Sequence, residues 1–548
     1  MNNLRNFSLF FLLPLFTLYA QNREFKVEKR FINLPVQNQL KTQHLQVLVG
    51  DTIYREFDIQ LAESNPDFWV PLDMKDYQGK NITIKAEKPS KKGLDLIYQS
   101  EQIAGYDSLY TERLRPQIHF TTQRGWINDP NGLVYHDGEY HLYYQHNPFG
   151  WSWGNMHWGN AVSKDLVHWK ELPTALYPPT YQDMAFSGSA VIDKQNTSGF
   201  SNNDTPPLVV AFTSTGRGEC IVYSLDNGRT FKEYADNPVL KHQGRDPKIF
   251  WYAPGKHWVM VVYNELPTTD NEGKESHIKS FQIHTSTDLK NWNYQSEIPG
   301  FYECPELFEL PIDDNPENSK WVMYGADGQY FIGDFDGKVF TPKTPKYQYK
   351  TGNVYASQTY NNTPDGKRIQ MSWGNGIESK GMPFNQLMLF PTELKLHTTD
   401  EGVRMLPKPI DAINSLHKDK HMWENVSLSK KKPLSTDVAF DVMHLIAEFN
   451  VDDDVNFGMD INGFNIDYNA KEQKLNDVEL KPIDGKLNIE IIIDRTSIEI
   501  FANDGSAYIV KPHIAKTNNL HVNAYSNAEE DGTRLNKLAI YEMKSIWE

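Results

Sequence analysis

Trp126-Ile-Asn-Asp-Pro-Asn-Gly132 sets two turn dipeptides, Asp-Pro and Asn-Gly, directly after an apolar start. Taken alone, the stretch reads as a tight turn at a strand end. Two further stretches change that reading: Gly244-Arg-Asp-Pro247 and Glu303-Cys-Pro-Glu306. In each of the three, a carboxylate stands one or two positions ahead of a proline. The carboxylates Asp129, Asp246 and Glu303 are spaced by 117 and 57 residues. These gaps fit two units and one unit of ~58 residues, somewhat longer than the usual four-stranded propeller blade. Equivalent positions in successive blades face one axis, so the spacing predicts that the three carboxylates meet there. Five such units would fill the middle of the chain.

Working outward, residues 113–410 carry strand-like runs separated by turn signals. They include Tyr140-His-Leu-Tyr-Tyr144, Leu208-Val-Val-Ala-Phe212, Trp258-Val-Met-Val-Val262, Trp321-Val-Met-Tyr324 and Arg368-Ile-Gln-Met371. Long helical periodicity is absent, so the short, evenly spaced strands predict an all-β sandwich, barrel or propeller, and the carboxylate spacing argues for a five-bladed β-propeller. Residues 22–112 contain alternating runs such as Leu45-Gln-Val-Leu-Val49 and Ile82-Thr-Ile84, and predict a small N-terminal β domain. Residues 411–548 contain Leu487-Asn-Ile-Glu-Ile-Ile-Ile493 and Ser497-Ile-Glu-Ile-Phe501, with a hairpin signal at Asn503-Asp-Gly505. They predict a C-terminal β-sandwich.

Residues 1–20 read as a signal peptide, with a basic start at Arg5 and an apolar run from Phe7 to Tyr19. Export to the periplasm or the extracellular space is therefore expected. No later stretch is long and apolar enough to span a bilayer. The net charge of −16 repels phosphate backbones and anionic lipid, so nucleic acid and membrane surfaces are not expected partners. Cys220 and Cys304 are too few for a disulfide framework and are expected to be free thiols. No Cys/His spacing indicates zinc, and no metal or other cofactor is expected. Aromatic residues make up 13% of the chain, which suits stacking on sugar rings as well as filling β-sheets.

Glycosidic bond cleavage commonly uses two carboxyl groups, one ionised and one protonated. A third can hold sugar hydroxyls through charge-assisted hydrogen bonds. Asp129, Asp246 and Glu303 can fill these roles. Crowding three acids raises the pKa of at least one. Arg245 is expected to keep Asp246 ionised, and the prolines are expected to bias their preceding residues toward extended backbone.

The three stretches together resemble glycoside hydrolase family 32, the β-fructofuranosidases that include levanases, inulinases and invertases. Supporting stretches are Tyr144-Gln-His-Asn-Pro148, Trp153-Gly-Asn-Met-His-Trp-Gly159, Asp165-Leu-Val-His-Trp169, Phe186-Ser-Gly-Ser189, Tyr355-Ala-Ser-Gln358, Trp373 and Asp494-Arg-Thr-Ser-Ile-Glu-Ile-Phe501. The resemblance covers about residues 115 to 548. It implies a retaining mechanism with Asp129 as nucleophile, Glu303 as general acid/base and Asp246 as transition-state stabiliser. It implies substrate contacts at Asn128, Gln145, Trp153, Phe186, Ser187, Arg245, Tyr355 and Trp373. The substrate would be fructan or sucrose, cleaved from its fructose terminus.

Two positions depart from the family pattern. Asn160 stands where His is common, and Asn353 where an acidic residue is common. Cys304 reads as a small neighbour that tunes Glu303. Endo-levanase and invertase are the nearest alternative activities. A catalytically dead fructan-binding protein is the alternative from another class, and would have lost a carboxylate. An arabinan- or xylan-active propeller of the inverting type would hold its carboxyls more than ~6.5 Å apart.

Overall fold

The computed structural model describes residues 21–86, 91–269, 273–452, 454–516, 520–529 and 532–548. The signal peptide expected at residues 1–20 lies outside them. The chain forms two units, Met1–Tyr106 and Asp107–Glu548.

In the first unit, alternation of apolar and polar residues builds two antiparallel sheets. One contains Gln21–Lys26, Asn81–Ala86, Gln43–Val49 and Thr52–Ile59, in that spatial order. The other places Phe31–Val36 between Phe68–Asp73 and Tyr98–Ser100. Ile32, Leu34, Val47, Phe57 and Ile84 are buried.

The second unit begins with five successive antiparallel blades. Their first strands are Gly125–His136, Ala185–Ile192, Gly244–Tyr252, Glu306–Ile312 and Tyr355–Thr359. The apolar runs noted between residues 113 and 410 fall in the second strands of the blades: Glu139–Asn147, Leu208–Ser214, His257–Thr269, Asn315–Tyr324 and Ile369–Trp373. Most of these residues are buried between neighbouring blades, which is why their sequences read as nearly continuous hydrophobic runs.

The first strands of four blades share one irregularity. The pairing register slips between Ile127 and Pro130, Ala185 and Gly188, Arg245 and Lys248, and Tyr355 and Gln358. Each slip inserts one extra residue opposite the partner strand, the signature of a β-bulge. Deeper along these strands, Lys248 Nζ lies 2.7 Å from Glu306 Oε1 and donates to the Thr359 carbonyl at 2.8 Å. Asn361 Nδ2 donates to the carbonyls of Ala190 and Ile249. These buried bonds tie the second, third, fourth and fifth blades together. The C-terminal parts of the first strands then open on a cavity of about 590 Å³ lined by Phe250, Trp251, Tyr252, Trp321 and Phe335.

The C-terminal part is a sandwich of a seven-stranded and a six-stranded sheet. Leu445, Phe449, Met459, Ile461, Ile491 and Ile500 belong to its buried core. Asn503–Gly505 forms the turn between Ser497–Ala502 and Ala507–Pro512, which pair as a hairpin. Thr351 and Gly352, just ahead of the fifth blade, join the sandwich by parallel pairing with Ile509 and Val510.

A buried imidazole also links propeller and sandwich. His119 Nδ1 lies 2.8 Å from Asp494 and its Nε2 lies 2.6 Å from Glu499. Burial alone would lower the His119 pKa, but the two carboxylates outweigh it and push it up to about 9. His119 therefore stabilises the fold fully below its unfolded pKa of about 6.5, and this contribution is lost as pH rises through about 9. His119→Ala leaves two buried carboxylates without their cation. It is expected to cost about 3–5 kcal/mol at pH 6, read by denaturant unfolding. The decline in wild-type stability between pH 6.5 and 9 should flatten in the variant. An unchanged pH dependence would show that His119 carries no charge in the fold.

Candidate active site

Asp129 lies inside the first bulge and Asp246 inside the third. Ser187 lies in the bulge of the second blade and Ala356 in that of the fifth blade. Glu303 and Cys304 immediately precede the first strand of the fourth blade. The extra residue at each bulge re-aims the side chains beside it. Asp246, Glu303, Cys304 and Ala356 adopt left-handed backbone with φ of 65°, 48°, 43° and 47°. This corrects the expectation from the prolines. Asp246 precedes Pro247 and Cys304 precedes Pro305, yet neither is extended. The hydrogen bond from Asp246 N to Thr213 Oγ1 (2.9 Å) and that from Cys304 N to Asp246 Oδ2 (3.1 Å) override the local bias. Left-handed residues other than glycine are strained, and such strain gathers at functional sites.

The three carboxylates meet. Cys304 Sγ lies 3.8 Å from Asp129 Oδ2 and 3.7 Å from Asp246 Oδ2. Arg245 donates through Nη2 to Glu303 Oε1 at 2.5 Å, and its Nε lies 3.9 Å from Asp246. Tyr355 donates its hydroxyl to the other Glu303 oxygen at 2.8 Å. Ser187 Oγ and Asn128 Nδ2 donate to the two oxygens of Asp129, at 2.8 and 3.1 Å. Asp246 is 7% exposed, whereas the Glu303 side chain is 21% exposed.

Burial raises the pKa of Asp129, opposed by the hydrogen bonds from Asn128 and Ser187. Burial also pushes Asp246 up to about 8, and the charges of Glu303 and Asp129 add to this. Arg245 pulls Asp246 the other way but does not prevail, which corrects the expectation that it keeps Asp246 ionised. The guanidinium makes its hydrogen bonds to Glu303 instead. The trio therefore shares at least one proton near neutral pH. Cys304 is also placed differently from the sequence reading. Its thiol faces Asp129 and Asp246 rather than Glu303, and burial followed by the neighbouring carboxylates drives its pKa well up. It is a neutral spacer between two acids. Cys220 is buried elsewhere, and both thiols are free.

The other sequence-derived positions surround this centre. Trp373 packs edge-on against Tyr355 and Trp126, with ring centroids 6.2 and 6.1 Å apart. Trp126 Nε1 in turn donates to Asn128 Oδ1 at 2.8 Å. Trp153 is 52% exposed and packs edge-on against Phe186. Gln145 is 2% exposed and donates to the Ala185 carbonyl, behind Ser187. Asn160 is buried, and its amide donates to the Gly228 carbonyl. Asn353 holds the Asn375 carbonyl at 2.8 Å. Sequence reasoning missed Thr213, which fixes the Asp246 backbone and donates to Glu219. It also missed Tyr263 and Tyr302, whose rings flank the Arg245 guanidinium at 4.9 and 5.9 Å. All three lie in or beside strands whose residue types are ordinary for a sheet.

Comparison with known proteins agrees with this geometry. The model of the glycosyl hydrolases family 32 N-terminal domain matches residues 119–409, and that of the family 32 C-terminal domain matches 418–542. Residues 23–117 match a domain of unknown function, DUF4980. A levanase from Bacillus subtilis is 37% identical over 511 residues, covering 81% of this chain and 72% of the relative. The crystal structure of exo-inulinase from Aspergillus awamori superposes with a TM-score of 0.70 at 27% identity, covering 80% of this chain and 100% of that one. The β-fructofuranosidase from Schwanniomyces occidentalis, complexed with fructosyl-erythritol, gives a TM-score of 0.69 at 28% identity, with 80% and 99% covered. By its matched domains and its fold, the chain belongs to glycosyl hydrolase family 32.

Proposed function

We propose that this chain is an exported, retaining β-fructofuranosidase that releases terminal fructose from levan or inulin, and from sucrose. The observation that carries the reading is the convergence of Asp129, Asp246 and Glu303 around Cys304 and Arg245. Levanase, exo-inulinase and invertase relatives support the substrate class. Extracellular exo-inulinase among them supports export. Among the described residues, no helix is long and apolar enough to cross a membrane.

Asp129 attacks the anomeric C2 of the fructosyl unit. Ser187 and Asn128 orient its carboxylate and offset part of the cost of burying its charge. Glu303 protonates the leaving oxygen as the C2–O bond breaks, leaving fructose bonded to Asp129. Glu303, now ionised, then takes a proton from water as the water oxygen attacks C2 and frees Asp129. Arg245 and Tyr355 hold Glu303 in place through both steps. Asp246 grips fructose hydroxyls. Its raised pKa lets it donate as well as accept hydrogen bonds. Trp373 and Trp153 supply apolar faces for the sugar. A retaining pair requires the Asp129 and Glu303 carboxyls about 5–5.5 Å apart.

Incubation with levan, inulin and sucrose, each followed by product chromatography, tests the reading. Free fructose is expected as the first product from each. Oligosaccharides without fructose would contradict exo action, and no product from any of the three would contradict the substrate class. Asp129→Ala is expected to abolish release from all three substrates. Glu303→Gln is expected to lower kcat on sucrose ~10²- to 10⁴-fold, the usual worth of a general acid/base. A Glu303→Gln enzyme with wild-type kcat would remove Glu303 from that role.

A further inference from the structure

Lys350 is 3% exposed, and the mechanism above does not use it. Among the described residues, no carboxylate oxygen lies within ion-pair distance of its ammonium. Instead Nζ donates to the Ala326 carbonyl at 3.0 Å and to Ser357 Oγ at 2.8 Å. Ser357 Oγ continues to Ser372 Oγ at 2.7 Å.

Ala326 is the point at which the two supports of Glu303 are joined. Its N–H donates to the carbonyl of Glu303 at 3.0 Å and to that of Tyr302 at 3.1 Å. Its carbonyl accepts from Ala356 N at 3.1 Å as well as from Lys350. Glu303 and Ala356 are both left-handed and strained, and Ala356 follows Tyr355, which holds the Glu303 carboxyl. One buried amine thus holds the residue whose N–H and carbonyl engage the two strained turns.

The surroundings are built to admit the lysine. Gly328, at φ +84°, lies against its stem. A Cβ at Gly328 would come within 2.5 Å of Lys350 Cγ and Cε. Thr351 and Gly352, the next two residues, are paired into the sandwich sheet, and Asn353 N donates to the Val510 carbonyl at 2.9 Å. A Cβ at Gly352 would meet the Val510 carbonyl oxygen at 2.1 Å. The sandwich edge therefore anchors the segment that delivers Lys350 beneath the site.

We propose that Lys350 is a positioning residue for the general acid/base Glu303, and that the sandwich supports catalysis through it. The inference rests on the reading of Glu303 as the group that protonates the leaving oxygen. Burial lowers the Lys350 pKa to about 7, opposed by the charge of Asp327, so its donors are held at a cost that a purely packed side chain would not incur.

A leaving group that needs no proton separates positioning of the acid from general damage. Sucrose requires protonation of its leaving oxygen, whereas β-fructofuranosyl fluoride expels fluoride with little help. In Lys350→Met, kcat/KM for sucrose is expected to fall ~10- to 100-fold, the scale of a misplaced catalytic group, while that for the fluoride falls less than ~3-fold. Lys350→Arg, which keeps the donors, should recover most of the sucrose activity. Should Lys350→Met fail to fold, Gly328→Ala displaces the lysine stem and is expected to show the same contrast between the two substrates. Equal losses on sucrose and fluoride, or wild-type kcat/KM on sucrose, would overturn the role. A wild-type chain inactive on both substrates would instead overturn the β-fructofuranosidase reading beneath it.

Discussion

A β-bulge near the start of the first strand in each of four blades is the constraint on which the site depends. A regular strand alternates its side chains between the two faces of its sheet. The added residue breaks that alternation and brings Asp129, Ser187, Asp246 and the Tyr355–Ser357 segment to one centre. In the fourth blade, the left-handed pair Glu303 and Cys304 does the same just before the strand begins. Left-handed backbone costs about 1–2 kcal/mol per residue for side chains other than glycine. It persists here because the second strands lock the blades behind it, with Val210, Val261, Val322 and Met371 almost fully buried. Buried polar ties such as Lys248–Glu306 and Asn361 keep the blades in fixed relation. The rigid scaffold allows the strain at the centre to be retained.

The same convergence sets the electrostatics. Of the three carboxyls, Asp246 and Glu303 share one guanidinium, and that guanidinium is committed chiefly to Glu303. Burial, more than the opposing pull of Arg245, pushes the Asp246 pKa up to about 8. A thiol between Asp129 and Asp246 adds bulk without adding charge. The carboxyls are thereby differentiated by environment rather than by residue type. Asp129 is steadied by two neutral donors, Glu303 by a cation and a phenol, and Asp246 by backbone.

Much of this was legible in the sequence. The second strands could be read because burial between blades leaves nearly unbroken apolar runs. The carboxylates could be read because three short turn-rich stretches recur at multiples of a blade length. The outer strands were not legible. Lys232–Glu233, for instance, is short, exposed and charged, and nothing in it distinguishes strand from loop. Backbone conformation at the site was misread because the pre-proline bias is a local preference, and hydrogen bonds to Thr213 and Asp246 outweigh it. Lys350 carried no signal at all. A lysine in a polar stretch reads as solvated, and only the fold shows that Gly328 and the sandwich edge bury it.

The account stands on covalent chemistry at Asp129 within reach of Glu303. Peptide mass spectrometry of the Glu303→Gln enzyme, acid-quenched during turnover of β-fructofuranosyl fluoride, examines this directly. The fluoride needs no acid to leave, and without Glu303 the second step is slow, so the intermediate should accumulate. The account requires one fructosyl group on the peptide containing Asp129. A fructosyl group on another residue, or no adduct together with fructose released in the inverted configuration, would contradict it.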